Sequence, residues 1–438
     1  NGVKLIITVD CGISNQAEVA HALEQGIETI VTDHHLPPSS LPKAVAILNP
    51  KQVGDEYPYK ELCGAGVAWK LARALGQANG LDDSWSKWLL DLVAIATVAD
   101  MVPLTGENRA LVYFGLKILR RTPRLGLRHL VQRSGLLLSE LTEDDIAFTI
   151  GPRLNSASRM SHANAALRLL LTTDPREAES IVDHLEEKNQ ERRGAVDLIL
   201  QNFEPALSPV LVAGDASWSL GVLGLVASRL VERHNRPVFL WGKNGQGEIK
   251  GSCRSDGSVN VVELMTMIDS GKDFFANYGG HAMAGGFSLA AGRELELAER
   301  LISVYPALAS TVAATALVCE AEVSLPNLSD ETYNLIDQLR PFGIGNEKPI
   351  IFFPAVTLER WQSFGQTSNH LSLFLRQAGP SGDRRIKAIK FFSRPEHLGL
   401  DQLESGAKID VAAQLETSFF RGVRERRLRI VDVRPSLL

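Results

Sequence analysis

Two short apolar runs near the start, residues 3–9 and 28–31, enclose a helical pattern over 15–25, and each run ends in an acid. Continuous aliphatic and β-branched runs of this kind predict strands buried on both faces. With a helix between them they form a βαβ unit and a parallel sheet. The runs close at Asp10 and at Thr32-Asp33-His34-His35, so two acids and two imidazoles gather at the carboxyl edge of that sheet, where open α/β sheets bind ligands. Oxygen and imidazole donors together suit divalent Mn or Zn. A single Asp behind a strand is more often a turn former or helix cap, and that reading stands for Asp10 alone, or for Asp100 in Ala99-Asp100-Met101-Val102-Pro103. The adjacent histidines shift the balance towards metal or phosphate, because each ring nitrogen needs a partner.

At 438 residues the chain exceeds a single core and suggests about two to four domains. Its net charge of -5 means that any nucleic-acid contact comes from local basic patches. Cys11, Cys63, Cys253 and Cys319 form no CxxC pair, which argues against both a disulfide framework and a zinc knuckle. There is no apolar run of about eighteen residues to cross a membrane, and cytoplasm is the expected location. The chain opens on Asn1 and enters its first strand at Val3, so an upstream part of the first domain is expected to be missing.

Helices are expected over 66–75, 83–98 and 108–120, with a break at Pro103, and one long charged helix over 174–203 has Pro175 in its first turn. The polar stretch 186–193 predicts solvation on most faces, as in a helix bridging two domains. A strand follows at 210–213. From Val318 a short helix (330–339), a Pro/Gly-rich turn (341–346) and strands at 370–375, 386–391, 408–415 and 427–433 read as a small barrel.

Three further constellations carry possible phosphate chemistry. In 151–159, Arg153 and Arg159 flank small polar residues, a composition suited to phosphate contact, although a surface turn with a salt bridge is the simpler reading. Gly251-Ser252-Cys253-Arg254-Ser255 and Gly279-Gly280-His281 combine close backbone approach with charge, although glycine pairs are commonly just turns. Arg421, Arg424, Arg426, Arg427 and Arg429 crowd one hairpin-like stretch. They are the obvious electrostatic contact for a polyanion, the alternative being an exposed solubilising turn.

In order along the chain, Thr8-Val9-Asp10, Asp33-His34-His35, Val98-Ala99-Asp100-Met101-Val102-Pro103, Gly151-Pro152-Arg153-Leu154-Asn155, Trp218 with Gly221-Val222-Leu223-Gly224, Gly251 to Ser255, Gly279-Gly280-His281 and Pro341-Phe342-Gly343-Ile344-Gly345-Asn346 resemble the motif series of the DHH phosphoesterases. Within them the chain is most similar to the RecJ family of single-strand-specific 5′-to-3′ DNA exonucleases. The resemblance implies an α/β protein with a parallel-sheet DHH domain (1–173, its N-terminal part missing), a connecting helix (174–205), an α/β DHH-associated nucleic-acid-binding domain (206–312) and a C-terminal OB-fold β-barrel (313–438). It also implies a two-metal Mn2+ or Mg2+ site in which Asp10 bridges the ions and His34 and Asp100 each complete a coordination sphere. His35 then touches the scissile phosphate, Asp33 orients the histidines, and Ser252, Arg254 and His281 line the cleft that holds the strand's 5′ end. The family's first Asp-x-Asp motif has no counterpart after Asn1, which leaves the full two-metal set incomplete. Repair and recombination are the implied setting, and a helicase or single-strand-binding protein the implied partner of a monomer. Two rivals remain: an oligonucleotide or cyclic-dinucleotide phosphodiesterase, opposed by the barrel, and an inactive DNA-binding replication factor, opposed by the intact Asp10, His34, His35 and Asp100.

Overall fold

The computed structural model describes residues 2–160, 164–269, 271, 273–290, 292–309, 316–365, 368, 370–380, 382–420 and 423–436. The chain divides into two compact units, Asn1–Pro152, Leu170–Ala178 and Leu317–Leu438 in the first and Arg153–Leu169 and Glu179–Ala316 in the second.

The first unit opens with the expected βαβ. Strands β1 (Leu5–Val9), β2 (Glu28–Thr32) and β3 (Ala46–Leu48) are parallel in the order β1-β2-β3, and helix Gln16–Glu24 makes the first crossover. One expectation is corrected: β1 is not buried on both faces, since Leu5, Ile6, Ile7 and Val9 are all exposed. It is an edge strand that pairs, among the described residues, with β2 alone. Helices Gly64–Ala78, Leu90–Ala99 and Gly106–Leu119 supply the adjoining apolar core around Leu62, Val67, Val93 and Leu111. The single helix expected over 83–98 is instead a short turn, Ser84–Lys87, followed by Leu90–Ala99. The Trp69 indole donates to the Ser86 carbonyl at 2.9 Å, and the chain there tightens into three-residue turns, Trp88 N–H to Trp85 O and Leu89 N–H to Ser86 O.

The same unit contains the barrel. Strands β9 (Ala321–Glu322), β10 (Ile351–Phe364), β11 (His370–Gln377), β12 (Arg384–Lys390), β13 (Lys408–Phe420) and β14 (Val423–Pro435) run β11-β12-β14-β13-β10-β9, and pairing of β10 with β11 closes the sheet. Phe353, Val356, Leu371, Leu373, Val411 and Leu428 are among the residues that fill it. The long strand β10 is not expected from sequence because Pro354 interrupts it. The structure takes up the proline at a bulge between Phe353 and Val356, with Ala355 at φ 49°.

In the second unit, helix Gly151–Met160 replaces the surface turn expected there, and helix Pro175–Asn202 confirms the long helix. Asn189, within the stretch expected to be solvated, is fully buried. Strands β4 (Leu211–Gly214), β5 (Val238–Lys243), β6 (Ile249–Arg254), β7 (Phe275–His281) and β8 (Ala284–Leu289) form a mixed sheet in the order β4-β5-β6-β8-β7. Helix Leu220–His234 packs with Val196 and Ile199 over Leu211, Val238 and Leu240. Helices Val261–Ile268 and Leu297–Leu308 cover the opposite face, where Phe239, Cys253 and Phe287 point. The part of the first face lying on β6, β8 and β7 is where the polar motif residues fall.

Candidate metal centre and phosphate site

Because β1 and β2 run parallel in register, their last residues end side by side, Val9 opposite Thr32. Asp10 follows with φ 64°, a left-handed conformation that Asp tolerates better than most residues, while its N–H still donates to Thr32 O at 2.9 Å. The turn swings its carboxylate towards His34, whose Nε2 lies 3.1 Å from Asp10 Oδ1 and 3.4 Å from Asp100 Oδ2. Asp100 reaches the site from the C-terminal end of helix Leu90–Ala99. The His34 ring is buried, and neither of its nitrogens meets hydrogen-bond geometry with any described group. Two carboxylates converging on an imidazole nitrogen without bonding it form a donor set for a divalent cation. Asp10, His34 and His35 also bring one donor atom each within 4.8 Å of one another.

Asp33 is the keystone of the cluster without belonging to it. Buried at 1% exposure, it accepts from Ile13 N–H (2.9 Å), His34 N–H (2.7 Å), His35 N–H (3.2 Å) and the His35 ring Nδ1 (2.7 Å). Burial pushes its pKa up, but these donors outweigh it, and the carboxyl lies below its ordinary value. His34 is raised, chiefly by Asp10, and Asp100 is raised by partial burial. Two supporting residues carried no sequence signal. Buried Asn49, after β3, donates to the His35 carbonyl at 2.8 Å. Gly64, at a helix N-terminus, leaves the space that the Asp10 carboxylate occupies, and a Cβ there would overlap it.

In the second unit the β6-β8-β7 register sets three cross-strand rows on one face: Arg254, Ala284 and His281; Ser252, Gly286 and Gly279; Lys250, Ser288 and Asn277. The Arg254 guanidinium donates to Cys253 O (2.8 Å) and lies 3.4 Å from Ser252 Oγ. Gly224, in helix Leu220–His234, leaves room beside it, since a Cβ there would come 2.9 Å from Arg254 Nη2 and 3.2 Å from Ser252 Oγ. The glycine pairs divide by role. Gly280 has φ 144° and its Cβ would strike Ala284 O, and Gly285 is boxed in by Cys253 and Met265. A Cβ on Gly279 would meet nothing within 4 Å, and one on Gly286 only a carbonyl at 3.7 Å, so packing among the described residues does not demand either glycine. A flat, open floor beside a serine and an arginine suits close approach by a nucleotide.

Three family models match: the DHH family N-terminal domain at residues 3–97, the DHHA1 domain at 207–305 and the RecJ OB domain at 319–432. The single-stranded-DNA-specific exonuclease RecJ of Salmonella typhimurium is 34% identical over 465 residues, spanning 99% of this chain and 78% of that protein. The chain belongs to the RecJ family. The Bacillus subtilis RecJ is 37% identical over 99% of the chain, and the chain spans 54% of its length. A crystal structure of Thermus thermophilus RecJ with Mn2+ superposes with a TM-score of 0.81 at 32% identity, covering 99% of this chain and 62% of that one. The DHH match takes in Asp10, Asp33, His34 and His35, and Asp100 lies just beyond it.

The other RecJ-like candidates are placed differently from expectation. Arg153 is not an open phosphate ligand. It is 9% exposed, and its Nε donates to Glu186 at 2.7 Å. The side chain of Arg159 lies outside the described residues. In the RecJ OB domain, Arg426 pairs with Asp330 and stands over the Tyr333 ring at 5.3 Å, and Arg427 donates to Glu416 at 2.5 Å and lies 3.5 Å from Glu425. Both are mostly buried, so the expectation of an open cationic stretch is corrected. Arg424 alone of these three is exposed, and Arg421 lies outside the described residues.

Proposed function

We propose that the protein is a divalent-metal-dependent exonuclease that removes nucleotides from the 5′ end of single-stranded DNA in repair and recombination. The observation that carries this reading is the convergence of Asp10 and Asp100 on the unbonded Nε2 of buried His34. These three side chains would hold Mn2+ or Mg2+, and such an ion, when bound, supplies Lewis acidity and a water acidic enough to attack a phosphodiester. Two ions require more donors than this set, so a two-ion centre draws on further carboxylates.

Asp33 fixes the imidazoles. Its hold on His35 Nδ1 leaves Nε2 of a side chain 59% exposed free to meet a phosphate oxygen. Arg254 and Ser252 bind the terminal phosphate by charge and hydrogen bond, and the Gly279–Gly286 floor takes the nucleotide behind it. Anchoring the 5′ phosphate rather than the 3′ hydroxyl sets polarity. The OB barrel tracks the strand. A helicase or single-strand-binding protein supplies that strand in the cytoplasm, and a monomer suffices for each step.

The test is cleavage of single-stranded DNA labelled at either end, with and without Mn2+. Metal-dependent release of the 5′ label as short products, with duplex DNA spared, is expected. Release of the 3′ label first, or cleavage indifferent to metal, overturns the reading.

A further inference from the structure

The loop 339–346, which leads into the barrel, holds two segments that follow Asp100 along the chain. In the nearer one, Leu104 N–H donates to Ile344 O at 2.7 Å, and Arg109 Nη2 donates to Leu339 O at 2.8 Å. Gly343 and Gly345 lie so close to this segment that a Cβ would come 2.7 Å from Leu104 Cδ1 and 2.8 Å from Thr105 Cγ2. Leu104 is 2% exposed. Between it and Asp100 stands Met101 at φ 59°, so the backbone leaves the helix through a conformation that needs outside support.

Further along the chain, the loop also holds Glu143. Its Oε1 accepts from Arg340 Nη1 at 2.8 Å and from Phe342 N–H at 3.0 Å in a site 2% exposed. Glu143 opens a helical segment that runs through the π-type turn Ile146–Ile150 to Gly151, where a Cβ would come 3.3 Å from Ala99 Cβ, one residue before Asp100. The loop's own shape is set by Asn346, whose Nδ2 donates to Pro341 O (2.7 Å) and Leu339 O (3.2 Å).

We propose that the loop 339–346 is a positioning element for Asp100, so that docking of the barrel segment sets the geometry of the metal centre. The proposal rests on the metal reading above. None of the loop residues touches the ion site. They act through Leu104 and Ala99 on the carboxylate that does, as outer-shell partners do elsewhere at a cost of about 10–100-fold in metal affinity when lost.

The experiment compares Gly343→Ala, which pushes Leu104, and Asn346→Ala, which loosens the loop without adding bulk, with Gly379→Ala. The last disturbs the barrel against Pro326 instead, where a Cβ would come within 2.5 Å. Each variant is read by Mn2+ titration, thermal melting and amide hydrogen exchange over 98–104 without metal. Expected is about a tenfold or greater weakening of Mn2+ binding and faster exchange at 98–104 in the first two, with Gly379→Ala changing melting alone. Unchanged affinity and exchange in folded Gly343→Ala and Asn346→Ala, or the same losses in Gly379→Ala, overturns the proposal. If the unaltered chain binds no Mn2+, the metal reading fails, and exchange at 98–104 decides the loop's role by itself.

Discussion

The strand-end cluster and the arginine-rich β14 start from similar sequence evidence, a local crowd of one chemistry, and end differently. At the strand ends, parallel register delivers Asp10 beside His34 with Asp100 behind, and the ring nitrogens of His34 stay unbonded. On β14, antiparallel register sets Arg427 opposite Glu416, and the nearby helix Asp330–Asp337 gives Arg426 a carboxylate. One set of charges converges on a single imidazole nitrogen, and the other is paired across strands and with a neighbouring helix. Composition does not separate the two cases, whereas pairing partners do.

The comparison breaks first at the cluster. Asp10→Asn should lower cleavage in the active protein by about a thousandfold, the rate equivalent of losing several kcal/mol of Lewis-acid stabilisation. Single-turnover cleavage at saturating DNA checks this. Next is Asp33→Asn, which keeps the shape but cannot accept from every donor. It should cost about 2–4 kcal/mol of stability and weaken Mn2+ binding by about 10–100-fold. The sign follows from the lowered folded pKa. Asp33 stabilises the fold above its ordinary value of 3.8, and that contribution drains away as pH falls below it towards the folded pKa. Denaturant melts across this range should therefore show the gap between the unaltered chain and Asp33→Asn closing in acid.

At the barrel the effects shift from function to stability. Arg427→Ala should cost about 1–3 kcal/mol by leaving Glu416 unpaired, yet leave the salt dependence of single-stranded DNA binding unchanged. Exposed Arg424→Ala should leave stability alone and flatten the log-log slope by about 0.7 if it meets one phosphate. Fluorescence titrations in graded salt separate the two. The smallest effect belongs to Gly279→Ala: unchanged melting, since the methyl meets no described atom within 4 Å, with DNA affinity down a few-fold.

Much of this was legible in the sequence because it rested on local pattern. The βαβ start, the helix behind Pro175 and the barrel followed from periodicity and turn residues, and the gathering of Asp10 and His34 from their places at strand ends, whereas Asp100 stood out through the family resemblance. What escaped was set by distant partners. Asn49, Gly64 and Gly224 matter only because folding brings His35, Asp10 and Arg254 against them. Arg427 read as an open cation because Glu416 lies at a sequence separation of 11, and the salt bridge that was the simpler reading of Arg153 draws its partner, Glu186, from 33 residues away. Strand β10 was hidden by Pro354, which a bulge accommodates.

Metal binding at the strand ends depends on His34. Titration of Mn2+ into the chain and into His34→Ala, with free Mn2+ followed by electron paramagnetic resonance, tests it most directly. Saturable binding by the unaltered chain is expected, weakened by more than about a hundredfold in His34→Ala while the variant still melts cooperatively. Equal Mn2+ affinity in a folded His34→Ala would contradict it.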